Sequence, residues 1–100
     1  MIKVGEHITL DFLGVKKNYS PEFYEKVIYK IAKAAKVEIL NVVSHKFEPQ
    51  GFTLVALLSE SHFSFHTFPE RGVISFDFFT CGKVNPKVAL KILRNEIVHE

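Results

Sequence analysis

His62-Phe63-Ser64-Phe65-His66-Thr67-Phe68, then Pro69-Glu70-Arg71-Gly72, then Val73-Ile74-Ser75-Phe76-Asp77-Phe78-Phe79 decide the fold. Two runs rich in aromatic and β-branched residues flank four residues that favour a turn, which reads as strand, hairpin turn, strand. Four residues cannot carry a parallel crossover, so the two strands must pair antiparallel. Strand geometry then sorts Ser61 to Phe68 into two faces. Phe63 and Phe65 point into a core, while His62, Ser64, His66 and Phe68 point the other way. Two histidines and a hydroxyl on one side of a strand exceed what burial requires.

Working upstream, Ser59-Glu60-Ser61 is a short polar break, and Phe52 to Leu58 is a strand apolar on both faces, hence expected to be central. Glu48-Pro49-Gln50-Gly51 is a turn, and Val37 to Phe47 is β-branched and strand-like. Near the start, His7 to Phe12 alternates with period two and places Ile8, Leu10 and Phe12 on one face. Ser20 suits a helix N-cap and Pro21 the first helical position. Phe23, Val27, Ile31 and Ala35 follow at spacing four with Ile28 beside them, giving an apolar stripe to about Lys36. Asn85-Pro86 repeats the cap signal, and Val88, Ala89, Ile92, Leu93 and Ile97 form a second amphipathic helix. The order strand, helix, four strands, helix implies a single α+β domain over residues 1–100. Its expected form is a two-layer α/β sandwich, an antiparallel sheet of about five strands with two helices on one face. The other face is open to a partner.

Composition narrows the function. The chain has 100 residues, with 13 Lys and Arg against 11 Asp and Glu, so its charge of +2 gives no reason to expect nucleic acid or an anionic membrane as a partner. A domain of this size buries only about two-thirds of its unfolded surface, which favours oligomerisation. A single cysteine, Cys81, cannot form an internal disulfide. With no signal-peptide pattern and no membrane-length apolar run, the expected location is the cytoplasm. Most of the ten Phe lie between Phe47 and Phe79, in the stretch that leads to Cys81.

Two kinds of chemistry can be weighed on spacing. A zinc site from His62, His66 and Cys81 is disfavoured, because i, i+4 on a strand separates the rings by roughly 13 Å; no metal is expected. A Cys–His hydrolase with His66 activating Cys81 rests on a minimal signal, since a buried, inert cysteine beside a hydrogen-bonded histidine is the commoner arrangement.

Longer motifs carry more. Ser59-Glu60-Ser61-His62-Phe63-Ser64-Phe65-His66-Thr67-Phe68-Pro69-Glu70, followed by Asp77-Phe78-Phe79-Thr80-Cys81-Gly82, resembles the signature of the prokaryotic S-adenosylmethionine decarboxylases. Gly5-Glu6-His7 is similar to that family's Gly-x-His opening, and His45-Lys46-Phe47 with Pro49 and Gly51 to its His-basic-Phe-x-Pro-x-Gly segment. The resemblance implies a self-processing pyruvoyl enzyme. Cleavage between Glu60 and Ser61 would give chains 1–60 and 61–100, the second beginning with a pyruvoyl group made from Ser61. That ketone forms a Schiff base with the substrate amine and takes up the electrons left by carbon dioxide. By the same resemblance His66 moves a proton during processing, Thr53 stands where a hydroxyl, usually of Ser, supports the oxyanion, and Cys81 is the proton donor in decarboxylation. Phe47, Phe68 and Glu70 match substrate-binding positions, the aromatics for adenine and sulfonium and the carboxylate for ribose hydroxyls.

The resemblance also implies a homodimer whose active sites draw residues from both protomers, and a product that donates aminopropyl groups in spermidine (polyamine) synthesis. Departures from the pattern are Phe68 where Trp is common, Arg71 where an aromatic is frequent, and a chain that ends at Glu100 shortly after the second helix. They leave Ser61, His66 and Cys81 intact. They keep open a pyruvoyl decarboxylase acting on arginine or ornithine, and, against the intact chemical residues, a non-catalytic paralogue serving as a binding or regulatory partner.

Overall fold

A computed structural model describes residues 4–81 and 84–97. The elements run β1 (Glu6–Phe12), α1 (Pro21–Ala35), β2 (Ile39–Lys46), β3 (Phe52–Leu58), β4 (Ser61–Phe68), a 3-10 turn (Pro69–Arg71), β5 (Val73–Thr80) and α2 (Lys87–Glu96). The strands form one antiparallel sheet in the order β1-β5-β4-β3-β2. Both helices pack on the same face, so the expected two-layer α+β arrangement is the one observed. Among the described residues no helix is long and apolar enough to cross a membrane.

Alternation builds the core. Leu54, Ala56 and Leu58 of β3, Phe63 and Phe65 of β4, and Ile74, Phe76 and Phe78 of β5 are all buried on the helix side. The aromatic rings interlock, Phe63 edge-on to Phe78 at 5.4 Å and Phe65 tilted against Phe76 at 4.9 Å. Tyr24 of α1 reaches down between Phe52 and Phe65, with ring centroids 5.5 and 5.3 Å away.

The helix ends follow the sequence signals. Ser20 accepts from the Phe23 N–H through its side chain, with Pro21 in the first turn. Lys36 takes a left-handed conformation and closes the far end, its N–H turned to Ala32 and Lys33. Val37 donates to Ala32 as well, which is why β2 begins at Ile39 and not at Val37. At α2 the expected cap is shifted by one residue: Pro86 takes the N-cap position, and Asn85, just ahead of it, accepts from the Lys87 N–H at 3.0 Å.

Three expectations need correction. The buried stripe of α1 is Tyr24, Val27, Ile28, Ile31 and Ala32; Phe23 and Ala35 are only half-buried. Spacing four advances 400° and drifts about 40° per step, so a stripe confined to one face must mix steps of three and four. Next, β3 is an interior strand between β4 and β2, but β4 holds the sheet's centre, and the second apolar row of β3, Val55 and Leu57, lies on the open face at 42% and 52% exposed. Finally, Ser61 belongs to β4, paired with Leu58 and Thr80, which leaves Ser59-Glu60 as a two-residue turn.

The open face therefore carries Val43 and His45 of β2, Thr53, Val55 and Leu57 of β3, His62, Ser64, His66 and Phe68 of β4, and Val73, Ser75, Asp77 and Phe79 of β5. Truncating Phe65 to Ala should cost about 3–5 kcal/mol in urea unfolding, whereas Phe68→Ala, on the open face, should cost less than about 1 kcal/mol. Equal losses would contradict this assignment of the two faces.

Candidate active site

Strand β4 is the axis of the site, and its two ends carry different chemistry. At its start, the turn Ser59-Glu60 reverses the chain from β3, and Glu60 adopts a left-handed conformation with φ 66°. Ser61 is buried, its backbone paired with Leu58 on one side and Thr80 on the other. Its hydroxyl points back over the turn and donates to the Ser59 carbonyl at 3.4 Å. Cys81 follows directly on Thr80 as a half-buried free thiol, so β5 delivers it to the same end of the sheet as Ser61. Gly82, the last residue of the matching motif, lies outside the described residues.

The far end of β4 gathers five of the residues singled out from sequence. Thr53 and His66 are register partners, and Thr53 Oγ1 and His66 Nδ1 are hydrogen-bonded at 3.1 Å. That bond fixes the imidazole's rotation and leaves Nε2 as the ring's other nitrogen. An open cleft of about 310 Å³ is lined by Phe47, Thr53, His66, Phe68 and Glu70, together with Gln50, Gly51 and Thr67. Phe47 N–H donates to the Gly51 carbonyl at 2.8 Å, which closes the β2–β3 turn and holds the ring at the cleft's edge. His45 packs edge-on to that ring at 4.6 Å.

These two groups do not meet within one chain. Five residues of strand separate Ser61 from His66, roughly 16 Å, and the odd interval puts their side chains on opposite faces. His66 pairs with Ser75, equally far along β5 from Thr80, so a Cys81–His66 hydrolase pair has no geometric basis in a single protomer. Among the described residues no cluster of three or more His, Cys, Asp or Glu is arranged to hold a metal ion.

A third cluster was given no role on sequence grounds. Asp77, in the open face of β5, accepts from His7 Nε2 at 2.7 Å through Oδ2 and from the Ser64 hydroxyl through Oδ1, and His62 Nε2 stands 3.8 Å from Oδ2. The His62 ring stacks on Phe79 at 5.8 Å, and His7 meets Phe79 edge-on at 5.9 Å. Burial works to raise the Asp77 pKa. Hydrogen bonds from Ser64 and His7 and the nearby His7 and His62 imidazoles outweigh it and hold the carboxyl below the usual carboxylate range. The strand parity of Ser64 and Asp77 was available from sequence. What was missing was that β1 pairs with β5, bringing His7 opposite Phe79. The network ties β1, β5 and β4 together beside the residue that follows Ser61.

Comparison with known proteins places this geometry. A family model described as S-adenosylmethionine decarboxylase matches residues 6–100. An S-adenosylmethionine decarboxylase proenzyme of Brevibacillus brevis is 41% identical over 92 residues, covering 89% of this chain and 69% of the relative. The proenzyme of Prochlorococcus marinus is 42% identical over 97 residues (94% and 78%), and that of Methanococcus vannielii 41% over 98 residues (95% and 80%). The crystal structure of the adenosylmethionine decarboxylase from Aquifex aeolicus superposes with a TM-score of 0.75 at 32% identity, covering 93% of this chain and 77% of that one.

Asp77→Asn tests the third cluster. At pH 6 the variant should be less stable by about 1–2 kcal/mol, the range for hydrogen bonds to a charged group, towards its lower end for a side chain a quarter exposed. The folded carboxyl titrates below its unfolded value of about 3.9, so the stabilisation is whole above about pH 4 and is lost as pH falls through the lower folded value. Urea unfolding at pH 6 and pH 3 should show the difference shrinking. A difference unchanged by pH would contradict it.

Proposed function

The chain belongs to the S-adenosylmethionine decarboxylase family, and from that premise we propose that it decarboxylates S-adenosylmethionine with a pyruvoyl group made from its own Ser61. The observation that carries the proposal is Ser61 at the first position of β4, directly after the turn residue Glu60 and one register step from Cys81. The names of the relatives favour S-adenosylmethionine over arginine or ornithine. The product is then the aminopropyl donor for spermidine synthesis. A lone free thiol suits the reducing cytoplasm.

Processing uses groups of the chain itself. The Ser61 hydroxyl oxygen adds to the Glu60 carbonyl carbon, the Glu60–Ser61 C–N bond breaks, and the hydroxyl proton passes to the nitrogen. An ester and a free amine result, with no other reactant. A base then takes the Ser61 α-proton, the Cβ–O bond breaks with Glu60 leaving as a carboxylate, and water replaces the nitrogen, which departs as ammonia. His66 takes the α-proton, and Thr53 holds its imidazole and offers a hydroxyl to the developing oxyanion.

The position suits a pyruvoyl group. Cutting the turn removes no strand residue, and the new terminus stays between Leu58 of β3 and Thr80 of β5. Such a group supplies a ketone that condenses with an amine and accepts the electrons left by departing carbon dioxide. Cys81 stands beside that position and serves as the proton donor. Phe47 and Phe68 offer flat apolar faces to adenine and to the positively charged sulfonium, and Glu70 accepts from ribose hydroxyls.

Because His66 and Ser61 lie far apart in one chain, the working unit is a homodimer joined through the open sheet faces. The Thr53–His66 pair of one protomer serves the exposed Glu60–Ser61 turn at the start of the other's β4, since the Ser61 side chain itself starts on the helix side of that strand. Exposed Val43, Val55 and Leu57 on that face support this reading.

Denaturing mass spectrometry of the purified protein should show fragments of residues 1–60 and 61–100, the second blocked at its amino end, and a single intact chain for Ser61→Ala. A wild-type chain that stays intact after prolonged incubation would overturn the proposal.

A further inference from the structure

Among the described residues only two non-glycines have a positive φ, Lys36 and Glu60. Lys36 is accounted for, since its left-handed turn satisfies carbonyls at the end of α1. Glu60 closes no helix. It is the second residue of a two-residue hairpin loop, and Ser59 before it does not have a positive φ. The two-residue loops that match the twist of paired strands have a positive φ at the first position, so a loop left-handed only at its second works against the strands it joins. A side chain with a Cβ adds steric strain there that glycine would not feel.

Such strain lasts only where the surroundings over-determine it, and here they do. The Ser59 N–H is bonded to the Glu38 carbonyl at 3.1 Å, ahead of β2. Leu58 and Ser61 are locked as register partners, and Ser61 is locked again to Thr80 on its other side. The turn is therefore clamped on both sides of the one residue whose backbone is least comfortable. The bond that follows it is the Glu60–Ser61 peptide.

We propose that Glu60 is a positioning residue for self-cleavage, acting through its strained left-handed backbone and not through its carboxylate. The inference rests on the reading of Ser61 as the residue that attacks the Glu60 carbonyl. Converting an amide to an ester is uphill, and a planar peptide held between clamps resists twisting at Glu60. When Ser61 Oγ adds, the carbonyl carbon becomes tetrahedral and the C–N bond loses its double-bond character. Glu60 can then leave the left-handed region, so strain present in the precursor is released on the way to the transition state and lowers the barrier.

The test uses full-length chains made by cell-free synthesis with a labelled pulse and an unlabelled chase, cleavage being read on denaturing gels. Glu60→Gly, which is at ease at positive φ, should slow cleavage by at least about fivefold. Glu60→Gln, which keeps the strain and loses the charge, should slow it by no more than about twofold. In chains that also carry Ser61→Ala and cannot process, Glu60→Gly should raise the unfolding midpoint by about 2 °C or more. Slower cleavage with higher stability is a combination that mere damage to the fold cannot give. Glycine cleaving as fast as wild type, glutamine slower than glycine, or a lowered midpoint would each overturn the inference. Absence of cleavage in the wild-type chain would instead overturn the self-processing reading beneath it.

Discussion

The antiparallel register of β4 against β3 and β5 governs the remainder of the molecule. It sets Ser61 opposite Leu58 and Thr80, and His66 opposite Thr53 and Ser75. With a rise of about 3.3 Å per residue and a period of two, everything else about the site follows. Phe63 and Phe65 must enter the core if His62, Ser64 and His66 are to face outward, and a slip of one residue would exchange the two sets. Burial of the phenylalanines thus holds the outward-facing polar side chains in place, and the residues that stabilise the sheet also position the candidate site. The register further imposes a distance of roughly 16 Å between the serine at one end and the histidine at the other.

That distance gives the open face its meaning. A sheet covered by helices on one side only leaves Val43, Val55 and Leu57 uncovered, next to polar groups held by Asp77 and Thr53. Two copies meeting through this face would cover the apolar side chains and bring opposite ends of two β4 strands together. In the proposed homodimer, a 100-residue chain with one modest core would gain stability from the same contact that completes its active site.

Local signals were legible where a residue's role depends on near neighbours. Ser20 and Pro21 marked the start of α1, Asn85 and Pro86 the start of α2 to within one residue, and the alternation from Ser61 to Phe68 gave the two faces of β4 correctly. Non-local facts were not legible. Nothing near Phe52–Leu58 says that its second apolar row, Val55 and Leu57, lies on the face without helices, or that β4 rather than β3 takes the sheet's centre. Nothing near His7 says that β1 will lie against β5, so the His7–Asp77–Ser64 network went unseen although its residues stood in recognisable motifs. The tilt of the α1 stripe towards Tyr24 and Ala32 was lost for a smaller reason, a step of four where the helix needs a mixture. The site residues themselves came from the motif resemblance. What the coordinates add is their division into two groups at opposite ends of one strand.

The account stands or falls on whether a site takes residues from two protomers, and complementation measures that directly. Chains carrying only Ser61→Ala retain His66, and chains carrying only His66→Ala retain Ser61. Co-expressed and analysed by denaturing mass spectrometry, the pair should yield a blocked 61–100 fragment bearing the His66→Ala mass, although neither chain expressed alone yields one. A mixture in which that fragment never forms, with heterodimers present, would contradict the shared site.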